Sequence, residues 1–326
     1  MPRIRRFTHL GSLFRVSVQA GPGVISWLPE SHAAHAAHQQ CLSFTNPDGI
    51  TAMIDWKFIT EKIQQTTRCP FQLLDVHTVG GGCINTAYRL EGSDTDYFVK
   101  LNRPEKQAMF AAEYAGVEEM AGCAAVRVPE AIAHGSTTEH AFLVLQYLPL
   151  HPRSAASDRL LGRQLAAQHS VQQPFFGWHQ DNTIGSTPQI NQRCSKWVEF
   201  WRDQRLAFQL QLAAEHGHGG KLQKLGERLC ANLEAFFSDY NPQPALLHGD
   251  LWSGNAAADA QGQPVIFDPA CYYGDREADL AMTELFGGFS SDLAASAAIS
   301  TRPTRKPARW TRAMLCARRC TTSIMS

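Results

Sequence analysis

Leu246-Leu247-His248-Gly249-Asp250-Leu251-Trp252-Ser253-Gly254-Asn255 is the most informative part of the sequence, and Val265-Ile266-Phe267-Asp268-Pro269-Ala270 follows it after a short gap. Together they contain an Asp, an Asn five residues further on, and a second Asp at the end of an apolar run. Carboxylate and amide oxygens are the ligands that Mg²⁺ prefers, and a carboxylate beside a hydroxyl orients it for attack on phosphorus. The pattern therefore predicts a site for phosphoryl transfer.

The three polar side chains have different predicted roles. We assign Asp268 and Asn255 to metal binding, and Asp250 to the catalytic base, which takes the proton of the acceptor hydroxyl and contributes about 10²- to 10⁴-fold in rate. The interval from Asp250 to Asn255 equals that of the protein-kinase catalytic loop, His-Arg-Asp-x-x-x-x-Asn, and Asp268 stands where those enzymes carry Asp-Phe-Gly. The alternative is a turn between two strands, since Asp, Asn and Gly favour turns.

A glycine-rich turn is predicted upstream of this site. Two apolar runs flank six residues whose backbone N–H groups are predicted to cover the phosphates of ATP. They are Gly80, Gly81, Gly82, Cys83, Ile84 and Asn85. A triple glycine is also compatible with a plain hairpin turn. Cys83 has two interpretations as well, a redox-sensitive thiol of lowered pKa or an inert small side chain.

Further kinase elements follow in chain order. Lys100 ends a β-rich run and is predicted to contact the α- and β-phosphates, while Glu113, in the helical segment 105–121, is predicted to pair with it. Gln146, Tyr147 and Leu148 end an apolar strand that leads into the predicted hinge between two lobes, where backbone groups meet the adenine. The alternatives are a surface strand that happens to end in Lys and an ordinary core strand.

Several longer strings resemble the fructosamine kinase (ketosamine 3-kinase) family. They are Gly81-Gly82-Cys83-Ile84-Asn85, Phe98-Val99-Lys100, Met109-Phe110-Ala111-Ala112-Glu113, the segment from Asp181 to Gln189, the segment from Leu247 to Asn255, and the segment from Asp268 to Met282. The resemblance extends from about Met53 to Phe289. Trp252, together with the Tyr-Tyr-Gly-Asp-Arg-Glu string at 272–277, distinguishes this family from aminoglycoside and choline kinases, which share the general outline.

The resemblance implies an α+β, bilobal, protein-kinase-like fold with a small antiparallel N-lobe, one helix in that lobe, and a mainly helical C-lobe. It implies ATP and Mg²⁺ as cofactors and phosphorylation of the sugar 3-hydroxyl of small or protein-bound ketoamines, the rearranged products of sugars with amines. In the family this makes the adduct unstable and frees the amine, which is deglycation. The alternatives are a related kinase of the aminoglycoside or choline kinase type and an inactive ATP-binding remnant of a damaged gene.

Composition is that of a soluble enzyme. The 326 residues are 44% hydrophobic and 18% charged, and the formal net charge is zero, so neither nucleic acid nor an anionic membrane is an expected partner. No apolar run approaches the roughly 20 residues that span a bilayer. The nine cysteines are scattered without metal-binding spacing, which favours a reducing cytoplasm.

The order of predicted elements divides the chain into four segments. Residues 1–52 are expected to be a non-native or disordered extension, with a transit peptide as the alternative because four Arg and no acid precede Glu30. Residues 53–149 are the predicted N-lobe, and residues 150–289 are a truncated C-lobe with helices near 158–168, 192–216, 221–237 and 277–286.

The predicted fourth segment, residues 290–326, has an unusual composition. It contains six Arg, one Lys, one acidic residue and one Trp, and it lacks an apolar period. We interpret this segment as an aberrant tail, frameshifted or disordered. Apolar surface of the C-lobe would then be exposed, which predicts low solubility or poor thermal stability.

Overall fold

The structure is a computed structural model that describes residues 54–80 and 84–299. All of these residues lie in the second of two units into which the chain divides, Met53–Ser326. Helix α1, Trp56–Thr67, begins where the Asp55 carboxylate accepts a hydrogen bond from the N–H of Phe58 at 2.9 Å. It ends at Arg68, which has the left-handed backbone conformation common after helices.

A five-stranded antiparallel sheet in the order β1-β2-β3-β5-β4 follows this helix. The strands are β1 Leu73–Val79, β2 Thr86–Gly92, β3 Tyr97–Asn102, β4 Ala131–Ser136 and β5 Ala141–Gln146. Helix α2, Gln107–Cys123, lies between β3 and β4 in the chain.

Strand β5 is apolar at every position from Ala141 to Leu145 because it is covered on both faces. Side chains alternate between the two faces of a strand. Phe142 and Val144 accordingly pack in the cluster that contains Ile59 and Ile63 of α1, whereas Leu143 and Leu145 pack with Phe110 of α2. The central strand β3 lies beside β5, and Lys100 is paired with Leu143 across the two strands.

The second part of the described chain is mainly helical, with short strand pairs between the helices. Its elements are α3 Ala155–Gln168, β6 Asn182–Ile184, β7 Thr187–Gln189, α4 Trp197–Trp201, a π-helical segment Arg202–Ala207, α5 Phe208–Glu215, α6 Lys221–Ala231, β8 Ala245–Leu247, β9 Ala256–Ala258, β10 Pro264–Ile266, β11 Tyr272–Gly274, α7 Glu277–Leu285 and α8 Ser291–Ile299. The predicted fold class, α+β with a small antiparallel sheet followed by a helical lobe, is confirmed.

Two strand pairs bring the two stretches that opened the sequence analysis together. Strand β8 pairs with β11, and β9 pairs with β10, all antiparallel. The loop from β8 to β9 contains Asp250, and the loop from β10 to β11 contains Asp268. Backbone hydrogen bonds join these loops, since the N–H of Phe267 donates to Asn255 and the N–H of Ala270 donates to His248. The two loops therefore lie side by side.

Helix α8 lies within residues 290–326, the segment for which we expected an aberrant tail. Its Leu293 and Ala297 are buried in a cluster with Leu161 and Leu165 of α3. A Cβ atom at Gly162 of α3 would lie 2.4 Å from the carbonyl oxygen of Leu293, so glycine permits the close approach of the two helices. Residues 291–299 are therefore a helix packed on α3, which disagrees with disorder in this part of the expected tail. The alternative of a frameshift stays a prediction. Residues 300–326 lie outside the described residues.

Candidate active site

Lys100 of β3 stands between two carboxylates. Its Nζ lies 2.6 Å from Oε1 of Glu113 on α2 and 2.6 Å from Oδ1 of Asp268. The lysine side chain is 7% exposed and that of Asp268 is 42% exposed. The three charged side chains therefore extend from the core to the solvent-exposed surface. Burial disfavours the ammonium charge, but the two carboxylates outweigh it and raise the pKa of Lys100. The predicted pair of Lys100 with Glu113 is present in the structure.

The loop that carries Asp250 is held at its start by Asp279 of α7. The carboxylate of Asp279 accepts hydrogen bonds from the backbone N–H groups of His248 and Gly249, both at 2.9 Å, and from Nε2 of His169 at 3.0 Å. Burial alone would raise the pKa of Asp279, yet these donors outweigh it and hold the pKa below its usual value. A negative charge at the base of the loop therefore fixes its backbone.

The sharp turn after His248 depends on a glycine. Gly249 has φ of +82°, a left-handed conformation, and a Cβ atom there would lie 2.1 Å from the carbonyl oxygen of Ala270. His248 is fully buried, and burial lowers its pKa, which favours the neutral ring. Its Nε2 donates to the carbonyl of Phe267 at 2.9 Å, and its Nδ1 accepts from the N–H of Asp250 at 3.3 Å. His248 thus orders the loop.

Asp250 and Asn255 are in direct contact. Nδ2 of Asn255 donates to the backbone carbonyl of Asp250 at 2.9 Å and to Oδ2 of the same residue at 3.0 Å. Burial, with a smaller contribution from the charges of Asp268 and Asp279, raises the pKa of Asp250 to about 6. A carboxylate that titrates close to neutral pH is well matched to accepting a proton and releasing it again.

The glycine-rich turn is only partly described. Gly80 ends the described part before the gap, and Gly81, Gly82 and Cys83 lie outside the described residues. On the return side, Nδ2 of Asn102 donates to the carbonyl of Ile84 at 3.0 Å and to Oδ1 of Asn85 at 2.7 Å. Asn102 was not among the residues predicted from the sequence, although its place two residues after Lys100 on the same strand is the signal that could have identified it.

Two backbone N–H groups at the predicted hinge form hydrogen bonds within the protein. The backbone N–H of Gln146 donates to the carbonyl of Glu130 at 2.8 Å, and that of Tyr147 donates to Asp96 at 3.3 Å. These two donors are used inside the protein, because the end of β5 continues to pair with neighbouring chain segments. The N–H groups of Gln146 and Tyr147 are therefore engaged within the protein, which makes the N–H of Leu148 the candidate donor. The expected contact of residues 146–148 with the adenine stays a prediction.

The short hairpin of β6 and β7 supports the loop after Asp268. Nδ2 of Asn182 donates to the carbonyl of Cys271 at 2.8 Å, and Nε2 of Gln189 donates to that of Ala270 at 3.0 Å. Both side chains are buried. Their hydrogen bonds fix the backbone just beyond Asp268.

Comparison with known proteins agrees with this arrangement. The sequence model of the family described as fructosamine kinase matches residues 55–306 of this chain. The chain belongs to the fructosamine kinase family. The match continues through residue 306, so the expected end of the resemblance at Phe289 is wrong. Membership makes the protein an ATP-dependent kinase.

Curated relatives carry names of the same kind. A protein of Synechocystis sp. described as a probable ketoamine kinase is 45% identical over 235 residues, which cover 72% of this chain and 79% of the relative. A chloroplastic protein-ribulosamine 3-kinase of Arabidopsis thaliana is 40% identical over 215 residues, which cover 65% of this chain and 66% of the relative.

A solved structure shows the same fold. The crystal structure of a protein from Haemophilus somnus 129PT, provisionally identified as fructosamine-3-kinase, aligns with a TM-score of 0.71 at 23% identity. The alignment covers 83% of this chain and 98% of that chain. The predicted protein-kinase-like architecture is thereby confirmed for this member of the fructosamine kinase family.

The oxygen atoms at the site suit a magnesium ion. Nδ2 of Asn255 is engaged by Asp250, so the amide presents Oδ1 away from that contact, and Asp268 retains a second carboxylate oxygen besides the one that meets Lys100. One carboxylate and one amide oxygen, with nucleotide phosphates and water completing the shell, match the ligands that Mg²⁺ takes in kinases. Within the described ranges, no group of three or more His, Cys, Asp or Glu side chains is placed to hold a metal ion.

Among the described residues, no helix has both the length and the apolar character needed to cross a membrane.

Proposed function

We propose that this chain phosphorylates the sugar 3-hydroxyl of ketoamines at the expense of ATP. The observation that carries the proposal is the contact of Asp250 with Asn255 beside the cluster of Lys100, Glu113 and Asp268. The names of its relatives, ketoamine kinase and protein-ribulosamine 3-kinase, support a ketoamine acceptor, either small or attached to a protein.

Each residue of the site has a proposed part in the reaction. Lys100, oriented by Glu113, contacts the α- and β-phosphates of ATP. Asp268 and Asn255 would hold Mg²⁺, which when bound neutralises charge on the phosphates. Asp250 orients the acceptor hydroxyl and accepts its proton.

The nucleotide is held from two sides in this proposal. The glycine-rich turn, of which Gly80, Ile84 and Asn85 are described, would cover the phosphates, and the N–H of Leu148 would donate to the adenine. Asn102 supports the phosphate-covering turn through its contacts with Ile84 and Asn85.

The chemical step follows from these positions. The 3-hydroxyl oxygen of the ketoamine forms a bond to the γ-phosphorus of ATP while the bond from that phosphorus to the β,γ-bridging oxygen breaks. The proton of the hydroxyl passes to a carboxylate oxygen of Asp250, and ADP leaves with the bonding electron pair. The product is a ketoamine 3-phosphate, whose breakdown frees the amine and completes deglycation.

A product analysis tests this proposal. The protein is incubated with Mg-ATP and a small fructosamine or ribulosamine, and the product is examined by ³¹P–¹H correlation NMR, with the 3-deoxy ketoamine as a matched control. We expect a phosphate coupled to the proton on C3 and no phosphorylation of the 3-deoxy compound.

Three other outcomes would contradict the proposal. Phosphate on another hydroxyl would exclude 3-phosphorylation, and turnover of aminoglycosides or choline in place of ketoamines would indicate the related kinase class. Binding of Mg-ATP without transfer to any acceptor would indicate an inactive remnant.

A further inference from the structure

Arg153 contacts the later part of the loop of Asp250, beyond the residues that Asp279 holds. Its Nη1 donates to the carbonyl of Ser253 at 3.0 Å and also to the carbonyl of Ala256. These two carbonyls flank Gly254 and Asn255 in the chain. The guanidinium therefore spans the short turn that presents the side chain of Asn255.

The side chain of Arg153 is held in place by contacts of its own. Its side chain is 9% exposed, and its Nε lies 2.9 Å from Oδ1 of Asp158, which is buried as well. Two residues earlier, His151 exchanges backbone hydrogen bonds with Ala258 of β9, at 2.7 and 2.9 Å. A buried guanidinium with a carboxylate partner and fixed backbone has little freedom to move.

Arg153 also binds the segment that precedes α8. Its Nη2 donates to the carbonyl of Gly288 at 2.7 Å, and its guanidinium lies 4.1 Å from the ring centroid of Phe289. The second oxygen of Asp158 accepts from the N–H of Ser290 at 2.7 Å. The pair of Arg153 and Asp158 thus joins residues 288–290 to the loop of Asp250.

Gly288 is in close contact with the same loop. It has φ of +86°, and a Cβ atom there would lie 2.5 Å from Oγ of Ser253. Both the conformation and the space therefore require glycine. The turn also borders an open cleft of about 570 Å³.

We propose that Arg153 is a positioning residue, which sets the orientation of Asn255 through the carbonyls of Ser253 and Ala256. The inference rests on the proposed function, because Asn255 matters as a metal ligand only if the chain uses Mg-ATP. The planar guanidinium of Arg153 can donate at once to the carbonyls of Ser253, Ala256 and Gly288 and to the carboxylate of Asp158. An ammonium group cannot make these four hydrogen bonds with the same geometry.

The test compares Arg153→Lys with Arg159→Lys. Arg159 is a matched control, since its Nη1 meets Asp292 of α8 at 2.5 Å and both side chains are exposed. The first readout is hydrogen–deuterium exchange of the nucleotide-free protein over residues 250–258. The second is the Mg²⁺ concentration that gives half-maximal binding of ADP. Neither measurement requires a ketoamine.

We expect Arg153→Lys to accelerate exchange over residues 253–257 by about tenfold, which corresponds to about 1.4 kcal/mol of local stability. The Mg²⁺ requirement for ADP binding should rise by about tenfold, the usual effect of losing a group that orients a metal ligand. Arg159→Lys should change either value by less than about twofold.

The inference is overturned if Arg153→Lys leaves both values at those of the wild type, or if the two lysine variants change them equally. Should Arg153→Lys fail to fold, Gly288→Ala disturbs the same turn from the side of Ser253 and is expected to give the same two changes. Normal values in folded Gly288→Ala would then overturn it. A wild type that fails to phosphorylate ketoamines would refute the proposed function and leave these binding and exchange results interpretable.

Discussion

Replacement of Lys100 by Met removes the cation between two carboxylates. Deleting one partner of a buried ion pair costs about 3–5 kcal/mol of folding free energy, because the remaining charge is left without compensation. Asp268 is 42% exposed and water screens it, so most of the cost arises from Glu113, whose side chain is 12% exposed. A domain is stable by only about 5–15 kcal/mol, so the loss should be easy to measure.

The destabilisation by Lys100→Met should depend on pH. Burial raises the pKa of Glu113, and loss of Lys100 raises it further, so folded Glu113 binds a proton more tightly than unfolded Glu113 does. Stability of the variant is therefore greatest at low pH. It falls as pH rises from the unfolded pKa of about 4.3 to the raised folded pKa, by at most about 1.4 kcal/mol per pH unit.

Urea unfolding at pH 5 and pH 8 provides the assay for Lys100→Met. Lys196→Met is the matched control, because the pair of Lys196 with Glu199 is exposed to water and surface ion pairs contribute little to stability. The added change Glu113→Gln should restore part of the lost stability at pH 8, since a neutral amide needs no counter-ion. Equal destabilisation by the two lysine variants, or a loss of stability that does not grow with pH, would show that Glu113 does not depend on Lys100 for its charge.

The other predictions concern three carboxylates. As pH falls through about 6, Asp250 becomes protonated, so kcat/KM for the ketoamine should decrease with unit slope below that pH; a flat pH–rate profile from 5 to 7 would exclude this. Asp279→Asn should leave a buried N–H of the loop unpaired, which lowers stability by about 1–3 kcal/mol. It should also lower kcat more than it raises KM for ATP. Unchanged kinetics would contradict this role of Asp279. Burial raises the pKa of Asp275 to about 7, so its protonation favours the folded state and its contribution to stability is lost as pH rises from about 4 to 7. Asp275→Asn should remove that decline in urea unfolding, whereas an unaltered pH dependence would contradict it.

Local sequence patterns predicted the centre of the site well. The interval between Asp250 and Asn255 is short, so the loop geometry follows from a few residues. The pairing of Lys100 with Glu113 was predicted from element order alone, because a strand lysine and a helix glutamate in that order are typical of one fold. The helix from Gln107 to Cys123 lies within two residues of its predicted bounds.

Contacts between residues that are far apart in the chain could not be predicted from the sequence. Arg153 and Ser253 are 100 positions apart, and nothing near either residue indicates that a guanidinium donates to a loop carbonyl. The acceptors of the Gln146 and Tyr147 N–H groups, which belong to Glu130 and Asp96, could not be predicted from the sequence for the same reason.

The predicted tail was misjudged for a different reason. Composition averaged over residues 290–326 concealed a short helix whose Leu293 and Ala297 are buried against α3. The frameshift expected within residues 290–326 stays a prediction.

Single-turnover kinetics of Asp250→Asn would show whether this carboxylate is the catalytic base. With Mg-ATP and a ketoamine, we expect phosphoryl transfer to fall by about 10²- to 10⁴-fold. Affinity for ADP should stay within about threefold of the wild type, since Asn255 still finds an acceptor in the backbone carbonyl of residue 250. Transfer at the wild-type rate by the folded variant would exclude Asp250 as the base.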